Sequence, residues 1–309
     1  MTDHIQAQNP GYFFKKFLLL LLFVIMAAFV GQAVIVGVLL PYYSFDTQEV
    51  FNQLAQQNNR MVLLTVQGIS ALFTFILGPL FYGYLYDPSF TKKLRSCLPE
   101  KSQIPLSVIV ISAFLPLGSA LLVWNQNIEF PAALHELEAS FKATELHLAK
   151  LTIFLVDFQS FPEFIVGFFV IAILAGIGEE LLFRGYIQGY LEGMFRNAHV
   201  AIWVSAFIFS AIHMQFYGFF VRMFLGVLLG YLFLWSGRSL YPAMLAHITN
   251  NAITVISVYV NKEEILKEMA DPFSTEAPEW YIVILSTIFA FAFLYFYKKR
   301  DDKLSLNQK

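Results

Sequence analysis

Few residues in this sequence could do chemistry, and the densest group sits in one short stretch. Glu179 and Glu180 are adjacent, Arg184 follows, and the run from Phe164 to Leu174 just upstream is hydrocarbon. Ionisable groups set in hydrocarbon are costly, so they pair with one another and mark functional sites. On a helix, Glu180 and Arg184 are i and i+4, share a face and make a structural ion pair. Glu179 projects about 100° away from Glu180, at roughly 3.6 residues per turn, which leaves it without that partner. Further along come Phe209 and His213, four residues apart, and His247 and Asn251, again four apart. A carboxylate facing a histidine suits activation of water, with Glu179 as general base and His213 holding and polarising the water. A histidine and an amide on one face of another helix, as His247 and Asn251 would be, suit stabilisation of a developing oxyanion. The same Glu, two His and Asn could instead hold a divalent metal such as zinc. A polar cluster at one depth could also relay protons or ions, and either histidine alone could simply bond to a neighbouring helix.

These side chains need elements that hold them at one depth. The chain has 309 residues, 58% hydrophobic, 17% aromatic and only 14% charged, with mean hydropathy +0.62 and 34 phenylalanines. That composition belongs to an all-α polytopic membrane protein, read here as a single membrane domain over 1–309. Uncharged runs long enough to cross a bilayer give eight expected spans, at 17–40, 61–86, 104–124, 164–194, 198–214, 219–235, 241–260 and 280–297. The first is favoured as a retained span over a cleaved signal peptide, because its apolar core is long and ends at Pro41. Between the third and fourth, the stretch 131–150 places Leu134, Leu137, Phe141, Leu148 and Leu151 on one stripe. This suggests an interfacial amphipathic helix, with a solvated loop helix as the plainer alternative.

Charge tests the topology. Lys15, Lys16, Lys92, Lys93, Arg95, Arg196, Arg238 and the run Lys298 to Arg300 fall on the side of the N-terminus, against Arg60, Lys142, Lys150, Lys262 and Lys267 on the other. Basic residues gather on the cytoplasmic side, which puts both termini there, and an odd number of spans would spoil the bias. A net charge of -2 gives no reason to expect nucleic acid as a partner. The single cysteine, Cys97, makes no internal disulfide and reads as a free thiol in a loop. His4, His135, His147 and His199 lie in loops or at helix ends and read as solvated. Arg222, near the outer end of its span, reads as a snorkelling residue, and Gly226 with Gly230 as a close-packing pair.

Interior polar residues are confined to the fourth to seventh spans. If the fourth and fifth form a hairpin turning at Asn197, Glu179 lies 18 residues before the turn and His213 lies 16 after it. Equal distances from a turn mean equal depth, so the two can share a site. His247 lies about two turns into the seventh span from its cytoplasmic start, roughly 10 Å deep. The site should therefore open to the cytoplasm, provided that the hairpin around Asn197 projects beyond the membrane.

Taken in order, Glu179-Glu180-x-x-x-Arg184, Phe209-x-x-x-His213 and His247-x-x-x-Asn251 resemble the three motifs of the CPBP family, also called the CAAX protease or Abi family. The resemblance is strong over about 163–260, the expected catalytic core. It implies a bundle of eight transmembrane helices with a conical cavity open to the cytoplasm. It also implies an intramembrane endopeptidase that cuts a membrane-associated protein, prenylated in the founding members, near its C-terminus. Glu179 and His213 would activate water, His247 and Asn251 would form the oxyanion site, and Arg184 would pair with Glu180, with Phe209 packing the second motif. No cofactor is expected, zinc standing as the alternative: the sequence holds no His-Glu-x-x-His, and a ligating Glu179 would leave the site in need of another base. A protein of the same fold without proteolytic activity, such as a bacteriocin-immunity factor or scaffold, is the competing class. The short loops suit the inner membrane of a prokaryote.

Overall fold

A computed structural model describes residues 9–56, 59–88 and 98–307. The leader with His4, the basic loop with Lys92, Lys93, Arg95 and Cys97, and the terminal Lys309 lie outside the described residues. Among those described, every regular element is helical. Eleven main helices are α1 (Pro10–Leu39), α2 (Thr47–Gln56), α3 (Arg60–Tyr86), α4 (Gln103–Gln126), α5 (His135–Val156), α6 (Phe161–Phe195), α7 (Ala198–Ala211), α8 (Phe219–Leu234), α9 (Leu240–Val260), α10 (Lys262–Ala270) and α11 (Trp280–Asn307). Short 3-10 turns at Leu40–Tyr43, Ala132–Leu134 and Phe216–Gly218 extend three of them.

Seven of these elements are long and apolar enough to cross a bilayer. The expected fifth span falls short of that: α7 has 14 residues, about 21 Å at 1.5 Å per residue, against a hydrocarbon thickness of about 30 Å. Its partner compensates. α6 runs for 35 residues, about 52 Å, which is far more than one crossing needs. Asn197 caps α7 by accepting from the amides of His199 and Val200, and Arg196 before it takes a left-handed backbone, φ 54°. Those two local choices turn the chain sharply between α6 and α7. The stretches between the expected spans at 41–60 and 261–279 contain α2 and α10.

α6 is the axis of the molecule. It packs against α9, the α3 midsection and α7, while α4 joins α9, α8 and α11. Its ladder is interrupted twice by wider π-helical segments, Phe169–Leu174 and Phe183–Ile187, which bracket the straight turn carrying Glu179 and Glu180. π segments inside α-helices are frequent at functional sites. Glycines set the closest approaches. A Cβ on Gly176 would lie 2.9 Å from the backbone nitrogen of Ile248, so only glycine lets α6 come this near to α9 beside His247. Gly226 and Gly230 likewise meet Ala206 and Ile202 of α7, as a small-residue pair should.

The start of α1 and the end of α11 meet at the α6–α7 turn. Phe13 at the start of α1 fills the space over Gly193, and Lys298 near the end of α11 lies over the Trp235 ring, close to the Arg238–Glu192 ion pair. Arg60, Asp157, Glu163 and Lys262 form a charged cluster at the opposite end, joining α3, α6 and the start of α10.

Candidate active site

The second carboxylate of the pair, Glu180, is built into the core. Glu180 is 0% exposed and Arg184 1%, and Arg184 Nη1 donates to Glu180 Oε1 at 2.8 Å, one turn apart on α6. The other arm of the guanidinium, Nη2, donates to the Gly226 carbonyl of α8 at 2.6 Å. One turn further, Gln188 Nε2 donates to the Gly230 carbonyl at 3.3 Å. Glu180, Arg184 and Gln188 therefore form one polar stripe at i+4 spacing, stitched to the backbone of α8 where its glycines leave room. Gln188 was not singled out from the sequence, although that spacing was there to read.

The pair proves to be a triad. His247 Nδ1 donates to the same Glu180 Oε1 at 2.9 Å, across the α6–α9 contact. A carboxylate oxygen only accepts, so this bond puts a proton on Nδ1 and turns Nε2 outward. There Nε2 lies 3.8 Å from Glu179 Oε2. Glu179 is the more open member of the site, 15% exposed against 4% for His247. The two neighbouring carboxylates thus divide as their 100° offset requires: Glu180 is consumed by Arg184 and His247, and Glu179 is not.

His213 lies just past the end of α7, in a turn closed by the left-handed Met214, φ 55°. Its Nδ1 donates to the Phe209 carbonyl at 2.8 Å, which leaves Nε2 of a neutral ring as an acceptor. Glu179 and His213 lie more than 4.0 Å apart, outside ion-pair range; the side chain facing Glu179 within that range is His247. Phe209 joins the groups instead. Its buried ring meets His213 at 5.2 Å, His247 at 5.9 Å and the Arg184 guanidinium at 5.4 Å. What reads as ordinary hydrocarbon in sequence is the common wall of three polar side chains.

Asn251 sits one turn beyond His247. Its Nδ2 donates to the Ile171 carbonyl in the first π segment of α6 at 3.1 Å, and its Oδ1 accepts from Asn250. The carbonyl of a hydrocarbon residue leaves no signal in a sequence, so this anchor was not legible there. One amide hydrogen of Asn251 is spent on the anchor, and the amide has two. Arg222 does not snorkel: its Nη2 turns back over Gly218 and donates to the Gln215 carbonyl at 2.8 Å.

Among the described residues, no three or more His, Cys, Asp or Glu side chains gather as candidate ligands. Glu180 and the Nδ1 of His247 are already bound to each other, so neither is a free donor.

The fold and site define a class: a polytopic helical membrane protein with a partly open glutamate held against a histidine inside its bundle. Residues 161–253 match the family model described as Rce1-like, type II CAAX prenyl endopeptidase Rce1-like, which bears out the CPBP/CAAX protease resemblance. The match spans every motif residue from Glu179 to Asn251. No curated protein and no solved structure matches the chain.

Proposed function

We propose that this protein is an intramembrane endopeptidase that hydrolyses a peptide bond near the C-terminus of a membrane-associated, prenylated protein, using water activated by Glu179. The observation that carries the reading is the division of the two carboxylates. A buried guanidinium and a histidine bind Glu180, while Glu179 stays partly open against His247 Nε2 at 3.8 Å. A purely structural cluster gains nothing from such a carboxylate.

In this reading Glu179 takes a proton from water as the water attacks the scissile carbonyl, then passes it to the leaving amine. His213 Nε2, its tautomer fixed by the Phe209 carbonyl, accepts the water's second hydrogen. The oxyanion requires donors. Asn251 supplies its remaining amide hydrogen, and His247 supplies Nε2–H if its ring is doubly protonated. Charge balance supports that form: Glu180 and Arg184 cancel, and an imidazolium cancels Glu179. No step needs a metal.

Both termini face the cytoplasm, on the side towards which the site opens, and the eight expected crossings include the short α7 within its hairpin. The inner membrane of a prokaryote is the proposed location. The test is mass spectrometry of a farnesylated CAAX peptide incubated with proteoliposomes in H₂¹⁸O, before and after exhaustive chelation. One new C-terminus carrying one ¹⁸O, formed at the same rate after chelation, is expected. An uncut peptide would remove the substrate class, and activity lost on chelation and restored by zinc would remove the metal-free mechanism.

A further inference from the structure

The turn that carries His213 is covered from outside the bundle. Residues 212–218 link α7 to α8; the backbone at 212–215 follows no helix, and Phe216–Gly218 form the short 3-10 turn before α8. α5 lies across this turn and touches it with two side chains one helical turn apart, Phe141 and Glu145, which i and i+4 spacing puts on one face. Phe141 stacks on Phe216, with ring centroids 5.1 Å apart and planes at 4°. Glu145 Oε1 accepts from Gln215 Nε2 at 3.1 Å. From below, Arg222 donates to the carbonyl of the same Gln215. Gln215 is thus held on both faces, two residues from His213. The turn is pinned further where Ser210 Oγ donates to the Phe219 carbonyl at 2.6 Å, and where Tyr217, fully buried, packs edge-on against Phe273.

Glu145 is an unusual choice for the middle of a helix lying over a bundle. Burial pushes its carboxyl above the usual carboxylate range, opposed by Arg222, by the backbone at Tyr217 and by Gln215. A surface helix with no task beyond solvation would carry this acid on its open face, as it carries Glu136.

We infer that α5 positions His213: Glu145 and Phe141 clamp Gln215 and Phe216 so that the histidine is held at the depth of Glu179. This rests on the role given to His213 above. Glu145 and Gln215 are positioning residues, remote from the reacting atoms. A displacement of about 1 Å in a catalytic group can cost about a hundredfold in rate. The clamp is therefore expected to act on turnover more than on substrate binding.

A reversed pair tests this. Gln215→Leu removes the bond. Gln215→Glu alone sets two carboxylates against each other. Glu145→Gln combined with Gln215→Glu restores one amide-to-carboxylate bond with the roles exchanged. The assay is cleavage of the farnesylated CAAX peptide in proteoliposomes, together with hydrogen–deuterium exchange of the peptide spanning 212–218. For both single variants kcat is expected to fall about ten- to a hundredfold with KM within about twofold, and exchange to accelerate. The double variant is expected to recover both to within about threefold of wild type. Unchanged exchange in Gln215→Leu overturns the clamp whether or not the peptide is cut. Faster exchange with unchanged kcat overturns the positioning role, as does a double variant no better than the singles. A wild-type protein that leaves the peptide intact tells against the proposed substrate alone, and the exchange data then decide the clamp.

Discussion

Glu180 shows what a single residue can carry in this site. Its one oxygen Oε1 accepts from Arg184 at 2.8 Å and from His247 at 2.9 Å, so one carboxylate fixes both the α6–α8 stitch and the tautomer of the histidine. Removing one partner of a buried ion pair strands the other, at about 3–5 kcal/mol. Glu180→Ala and Arg184→Ala are therefore each expected to lower stability in detergent by that amount, measured as a fall in thermal midpoint. Wild-type midpoints in both would show that the pair is not formed. The i+4 spacing made the Glu180–Arg184 bond legible in sequence, because both partners lie on one helix. The bond from His247 was not legible, because it depends on how close α9 comes to α6.

At the scale of the element, that approach is set by Gly176. A Cβ there would meet Ile248 Cγ1 at 2.7 Å as well as its backbone nitrogen at 2.9 Å, and a backbone cannot step aside as a side-chain tip can. Gly176→Val is expected to push α9 away and to destabilise by about 1–3 kcal/mol, the usual range for overpacking. It should also lengthen the His247–Glu180 bond and cut peptide turnover about tenfold or more. Normal turnover in a folded Gly176→Val protein would show that α9 is not located by this contact. The pattern of uncharged apolar runs located the long helices, although α1 already begins at Pro10 and α11 continues to Asn307. It missed the π segments, whose cause is tertiary packing, and it overran the end of α7. Ala198 to Met214 reads as one apolar run, yet Met214 adopts a left-handed backbone and the helix stops at Ala211. Likewise the stripe on 131–150 pointed to an amphipathic helix but not to what Phe141 covers, because Phe216 lies 75 residues away in sequence.

For the whole molecule, the hairpin of α6 and α7 decides where the site lies. α6, about 52 Å long, exceeds a bilayer of about 30 Å, so in the proposed topology its Asn197 end projects beyond the membrane. The start of α1 and the end of α11 lie at that same end, together with Lys16, Arg238 and Lys298. Positive residues are retained on the cytoplasmic side, so the proposed topology puts the turn there. In a Cys97→Ser background, cysteines at Arg196 and His199 are expected to react with an impermeant maleimide only from the cytoplasmic face. Labelling from the outer face alone would invert the topology. That topology rests on the charge bias and the depth arithmetic around Asn197, both of which are read from the sequence. The sequence could not show that Glu179 faces His247 more closely than it faces His213.

The account turns on Glu179 as the base, and Glu179→Gln addresses that most directly. The substitution keeps the volume of the side chain and a polar end that can hydrogen-bond, and removes its negative charge and with it the ability to take a proton. The measurement is kcat for farnesylated CAAX peptide cleavage by wild-type and Glu179→Gln proteins in proteoliposomes, with thermal midpoints recorded for both. A loss of about 10²–10⁴-fold in kcat with an unchanged midpoint is the expected result. Cleavage by Glu179→Gln at the wild-type rate would contradict the account.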